Sequence, residues 1–144
     1  MSLYGTYDDQ NIFAKILRGE MPAVKVFEDD VALAFMDIFP IGRGHTLVIP
    51  KNSTARNFLT LADEQVCPYM LRVQRVAKAV AQALVPDGVS ILQFNGAPAG
   101  QTIFHLHFHI VPRWEGVAMG AHGATPRAEI AELEALAARI RAAF

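Results

Sequence analysis

Phe104-His105-Leu106-His107-Phe108-His109-Ile110-Val111 is the stretch on which the reading of this chain turns. The chain has five histidines, and three stand here at strict alternation. Residues two apart on a β-strand project from the same face. A strand from Ile103 to Val111 therefore puts His105, His107 and His109 on one face and Leu106, Phe108 and Ile110 on the other. Neighbouring imidazoles then stand roughly 6–7 Å apart. A lone strand histidine is most often a hydrogen-bonded core residue. Three in alternation, opposite an apolar face, are hard to obtain from packing alone.

The flanks place this strand last in a series of five. Pro112 closes it, and the small-residue loop Gly96-Ala97-Pro98-Ala99-Gly100 separates it from a strand over Val89 to Asn95. Before that, Val66, Met70, Val73, Ala77, Val80 and Leu84 recur at helical spacing. Thr60 is the expected N-cap, Pro68 the expected kink or later start, and Pro86-Asp87-Gly88 the stop. His45 to Ile49 reads as a third strand, ended by Pro50-Lys51. Val24 and Val26 mark a first strand. Val31, Leu33, Phe35 and Asp37 share one face of a second, across the turn Glu28-Asp29-Asp30. Asp37 is an acid that ends an apolar series. At the N-terminal end, Asp8-Asp9 would cap a short helix with Ile12, Phe13, Ile16 and Leu17 on one face, stopped by Gly19. A last helix over about 126–143 opens at Thr125-Pro126, with Ile130, Leu133, Ala137 and Ile140 aligned. The order predicts an α+β domain: a mainly antiparallel five-stranded sheet with helices packed on one side.

Length and composition agree. The 144 residues suit one domain, and 52% hydrophobic with 19% charged residues excludes intrinsic disorder as the main state. No apolar run approaches the roughly 20 residues of a membrane span, and the first residues do not read as a secretory signal. With a net charge of -1 and no basic stripe, nothing points to nucleic acid as a partner. Cys67 is the one cysteine, so no intrachain disulfide and no cysteine-based zinc site is expected, and a reducing, cytoplasmic setting is the default expectation.

Two chemistries want a row of histidines. Two imidazoles two apart on a strand can chelate zinc. A catalytic metal would need further ligands, for which His45, Asp37 and Glu115 are the candidates, none at a recognisable spacing. The other chemistry is nucleophilic attack on phosphorus. A neutral imidazole approaches an anionic phosphate without charge repulsion, and crowded histidines resist simultaneous protonation. Asn95-Gly96 and Gly100-Gln101-Thr102 offer small residues and short polar side chains suited to close approach of a phosphate, which favours the second chemistry.

The segment His105 to Val111 matches the pattern His-φ-His-φ-His-φ-φ with every φ apolar, and the chain resembles the histidine triad (HIT) family. Within it, the chain resembles the bacterial nucleoside phosphoramidase and dinucleoside polyphosphate hydrolase-like members. The likeness runs from about Asn11 to Arg113 and includes Arg18-Gly19-Glu20-Met21-Pro22, Leu33 to Ile38, Gly44 to Lys51, and Asn95 with Gly100-Gln101. It implies a hydrolase or nucleotidyl transferase acting at the α-phosphate of a purine nucleotide conjugate. His107 would be the nucleophile, forming a nucleotidyl-histidine, with His109 on the phosphate or leaving-group side. His105 and His45 would hold the network and the nucleophile's tautomer. Asp37 would take ribose hydroxyls. Phe13, Ile16, Phe35 and Ile38 would line the base pocket, and Asn95, Gly100, Gln101 and Thr102 would surround the phosphate. A homodimer built on the long helix and a sheet edge is implied too.

Departures from the family pattern matter. Asn11 and Ala14 stand at cysteine positions of many members, and Asn52-Ser53 follows Pro50-Lys51 where a histidine is common. The structural zinc of those members is therefore expected to be lost, and no cofactor is expected. Trp114 reads as either a subunit contact or a cover for the core. His122, in the glycine-rich stretch from Gly116 to Gly123, reads as an exposed loop residue. A metal-dependent hydrolase, a dinucleoside polyphosphate hydrolase, and a nucleotide binder with little catalysis are the competing readings.

Overall fold

One aspartate makes the first reversal of the chain. In the computed structural model, which describes residues 2–144, β1 (Lys25–Glu28) and β2 (Ala32–Met36) pair antiparallel. Asp29 Oδ1 accepts from the backbone N–H groups of Val31 and Ala32 at 2.8 and 2.9 Å, fixing the turn between them. Arg72 Nε donates to the other carboxylate oxygen at 2.9 Å, tying that turn to the helix α2 (Asp63–Leu84). β3 (Thr46–Pro50) lies beside β2, with Ala32 opposite Pro50 and Met36 opposite Thr46. After α2 come β4 (Gly88–Leu92), β5 (Phe108–Arg113) and the helix α3 (Ile130–Arg141). The sheet order is β1-β2-β3-β5-β4, with every neighbour antiparallel. This is the α+β architecture and element order that the sequence predicts. No helix among the described residues is long and apolar enough to cross a membrane.

Period-2 alternation divides the apolar residues between two cores. Val26, Ala34, Met36, Val48, Leu106 and Ile110 face α2 and α3, where Tyr69, Val73, Val76, Val80, Leu136 and Ile140 meet them. Leu33, Phe35, Leu47 and Ile49 point the other way, against Phe13 and Ile16 of a short helix α1 (Ile12–Leu17). The helices thus lie on both faces of the sheet rather than one, because α1 covers the apolar residues that β2 and β3 present on the far side. Each fully buried Leu, Ile or Phe stabilises the fold by about 1.5–3 kcal/mol.

Several element ends differ from the sequence reading. The last strand begins at Phe108, not Ile103, because Leu106 donates its N–H to Ala55 O at 2.9 Å and so pairs with the loop after β3. It runs on through Pro112 to Arg113, since pairing with β3 ends at Ile110 and Pro112 has no donor to lose on that side. β4 stops at Leu92, where Gln93 and Asn95 bond each other through their side chains. Asn11, not Asp8 or Asp9, caps α1, its Oδ1 accepting from Ala14 N–H at 2.9 Å. Ile12 is exposed, and Val31 packs with the α2 side rather than with Leu33 and Phe35. Thr60 belongs to a 3-10 turn (Phe58–Thr60) capped by Asn57, and α2 starts afterwards with Asp63 and Glu64 in its positive first turn. That helix passes through Pro68, leaving the Glu64 carbonyl without its usual donor. The last helix starts at Ile130, with Ile130 itself exposed and Leu136 joining the buried stripe.

The loop that delivers His45 to β3 depends on Gly44. Its φ is +85°, and a Cβ there would collide with Leu84 Cδ1 and lie 3.1 Å from Pro112 Cγ. Gly44→Ala is expected to destabilise the fold by about 2 kcal/mol, from left-handed backbone strain together with the displaced contacts. Urea unfolding measures this, and an unchanged midpoint would refute the packing argument.

Candidate active site

The four site histidines lie where β3 and β5 meet, with α1 against them. All are buried: His45 and His105 in full, His109 at 2% and His107 at 6% exposure. Their faces sort as the alternation predicts. Leu106 and Ile110 enter the α2-side core, while Phe13 of α1 sets its ring 5.0 Å from His107 and 6.4 Å from His105.

The hydrogen bonds assign every tautomer. Ile41 N–H donates to His45 Nδ1 at 3.1 Å, so the His45 proton is on Nε2. His45 Nε2 then donates to His109 Nδ1 at 2.9 Å. His109 must carry its own proton on Nε2, a buried nitrogen with no partner in the protein. His107 Nδ1–H donates to the carbonyl of His105 at 2.7 Å, which leaves the Nε2 lone pair free. His105 donates from Nε2 to Pro50 O at 3.3 Å and accepts from the Tyr7 hydroxyl at Nδ1, 2.7 Å away.

Burial also holds these rings neutral. Desolvation lowers His107 and His105 to about 4 and His45 to about 3. His109 falls to about 2, from burial first and then from the proximity of His107, His45 and His122. Asp37 moves the other way, to about 6, because burial penalises its charge more than the N–H of Phe39, donated to Oδ1 at 2.8 Å, relieves it. A row of neutral imidazoles, one with a free lone pair and the next with a free N–H, can attack an electrophile and hold an anionic oxygen at once.

Asp37 Oδ2 lies 3.4 Å from His45 Nε2, and Asp37, His45 and His109 are the one cluster among the described residues with ligand atoms close enough for a cation, all within 4.8 Å. Two of those donors already bond each other. Glu115 is exposed beside Asp87 and takes no part. At the positions where the cysteines and the extra histidine are missing, Asn11 caps α1 and Asn52 donates to Asp30 O, while the His105 nitrogens are filled by Tyr7 and Pro50.

The remaining expected site residues divide. Phe13, Ile16 and Phe35 share one cluster, with the Phe13 and Phe35 rings 5.4 Å apart. Ile38 is not with them; it follows β2 and packs on the α2-side core. Gln101 is buried, its Oε1 accepting from Gly96 N–H and its Nε2 donating to the carbonyls of Arg56 and Ile103. Asn95 Oδ1 accepts from Phe58 N–H. Both amides therefore shape the loop with protein partners. Thr102 is exposed and Gly100 half-buried, with φ +109° at the glycine.

The HIT domain profile matches residues 18–116. The chain belongs to the HIT family. It is 47% identical to a Hit-like protein of Bartonella henselae, whose crystal structure superposes with a TM-score of 0.90 over 97% of this chain and 100% of that one. The protein hit of Bacillus subtilis is 43% identical over 111 residues, 76% of each chain. An adenosine 5′-monophosphoramidase of Schizosaccharomyces pombe is 42% identical over 102 residues, 71% of this chain and 73% of that one.

Within this HIT protein, three neighbours of the histidines are not marked by any sequence pattern. Tyr7 reaches His105 from the segment before α1. Phe94 sets its ring 5.4 Å from His109. His122 is half-buried against His109 rather than exposed, because its arm folds back over the site. Trp114 packs on the α2-side core, with Arg43 5.9 Å above its ring.

The neutral rings make stability depend on pH. Unfolded histidines take up protons near pH 6.5, whereas the folded ones do so at about 4 and below. Stability is therefore full above pH 6.5 and is lost as pH falls towards 4. Asp37 opposes this, since its raised pKa favours the folded state as it protonates below about 6, but one carboxyl stands against four rings. Urea unfolding is expected to give a lower stability at pH 5 than at pH 7; equal values would mean the rings are not held neutral.

Proposed function

We propose that this HIT protein is a hydrolase of purine nucleotide conjugates, with nucleoside phosphoramidates as the leading substrate class, acting through a covalent nucleotidyl-histidine. The supporting observation is the free Nε2 lone pair of His107, fixed by the 2.7 Å bond from its Nδ1–H to the His105 carbonyl. His107 Nε2 forms an N–P bond to the α-phosphorus as the bond from phosphorus to the leaving group breaks. The leaving group takes the bonding pair and a proton relayed from solvent. His109 Nε2–H holds a phosphoryl oxygen as negative charge develops. Water then splits the N–P bond, giving the nucleoside monophosphate and free His107. His45 acts on His109 rather than on the nucleophile, and His105 fixes the nucleophile through its carbonyl rather than its ring. Phe13, beside His107 and in contact with Phe35, supports a flat purine on that side, and Asp37 supplies an acceptor for ribose hydroxyls. The adenosine monophosphoramidase among the relatives favours the same substrate class.

In this reading His107→Ala lowers AMP release from adenosine 5′-phosphoramidate by about a thousandfold or more while AMP still binds. Wild-type release survives a chelator. Activity in the variant equal to wild type would overturn the nucleophile, and loss on chelation would move the chemistry to Asp37, His45 and His109 as metal ligands.

The same reading includes a homodimer. β4 is an edge of the sheet and carries exposed Ile91, and α2 exposes Leu71. Light scattering is expected to give twice the chain mass for the wild type and a monomer for Ile91→Asp. A monomeric wild type would refute the dimer.

A further inference from the structure

One histidine beside the site lies outside the matched domain, which ends at residue 116. The His122 ring stands 5.2 Å from His109, edge-on at 87°, and 5.3 Å from Phe94. Its arm is docked, not loose. Gly120 N–H donates to Ile41 O at 2.7 Å, and the Thr125 hydroxyl donates to Phe39 O at 2.9 Å. The approach needs a glycine, since a Cβ on Gly120 would lie 2.7 Å from Thr125 Cγ2 and 3.4 Å from Ile41 Cα. Docking on Ile41 brings the arm to the residue whose N–H fixes the His45 tautomer.

Three buried side-chain nitrogens among the described residues have no partner: Arg56 Nε, His109 Nε2 and His122 Nε2. Arg56 is otherwise satisfied, bonding the carbonyls of Ser2 and Thr6 and stacking over Phe104. The other two belong to rings in contact at the reaction centre. A buried polar nitrogen without a partner is costly, and two on adjacent rings are best explained by one ligand group that serves both. The tautomer chain already makes His109 Nε2 a donor, and His107, which would attack phosphorus, lies 4.9 Å ring to ring from His109. The acceptor suited to that place is an anionic phosphoryl oxygen.

We propose that His122 is a fifth histidine of the site, donating from Nε2 to the same phosphoryl group that His109 engages. This deepens the reading under Proposed function and rests on it for the position of the phosphate. Calorimetry with AMP and with adenosine, which lacks the phosphate, tests it on wild type, His122→Ala and His122→Asn. His122→Ala should weaken AMP about ten- to a hundredfold, the range for a lost hydrogen bond to a charged group, and leave adenosine within about twofold. His122→Asn keeps an N–H donor and should fall between. Gly120→Val, which touches no ligand, should weaken AMP by undocking the arm, with thermal melts confirming that the fold remains. Unchanged AMP affinity in His122→Ala overturns the proposal, and so does a parallel loss for AMP and adenosine, which would assign His122 to the fold or the nucleoside end. If wild type binds AMP but releases none from the phosphoramidate, the hydrolase reading fails, while the contrast between AMP and adenosine still decides on His122.

Discussion

Four imidazoles can be buried side by side only if the place of each proton is settled. In this protein the main chain settles most of it. The Ile41 amide points His45, His45 points His109, and the His105 carbonyl points His107. Because backbone groups do not titrate or rotate away, the His107 Nε2 lone pair is left free without a neighbouring general base. The rest of the architecture supplies the two conditions this needs: exclusion of water, which keeps the rings neutral, and loops held firmly enough that Ile41 and His105 stay in place.

The two cores share that task unevenly. The α2 and α3 side is extensive and anchors the sheet, with Tyr69 donating its hydroxyl to Val48 O at 2.7 Å. The far side is covered by α1, a six-residue helix that Asn11 caps and Gly19 ends, with Ala23 and Ile103 at its edges. Such a helix has little stability of its own; packing of Phe13 and Ile16 holds it. His105 and His107 lie at the margin of this smaller core, against Phe13.

Period-2 patterning and Gly/Pro punctuation made the five strands and their order legible, along with the common face of the histidines. The alternation even survives where the ladder does not, since His105 and His107 precede β5 and still face Phe13. Element ends were less legible because they depend on distant partners, such as Ala55 for Leu106 and Asn57 for Thr60. Asn95 and Gln101 looked like free amides in sequence, but tertiary structure uses them to hold loops. His122 and Tyr7 carry no local pattern. Their place follows from how the 116–125 arm and the segment before α1 fold back, which composition does not encode.

The β3–β5 pairing has a consequence for how the protein comes into being. Thr46 opposite Ile110 and Leu47 opposite His109 are contacts between strands separated by the whole of α2 and β4. Closing so long a loop costs entropy before any contact returns it, and pairings of this kind form slowly. The β1–β2–β3 meander has only near neighbours to find and can assemble early. During synthesis the chain can therefore form the β1–β2–β3 part of its sheet before it has any His45–His109 bond, and β4 gains a sheet partner only when β5 pairs with β3. A folding intermediate of this protein would have a partial sheet without the histidine network.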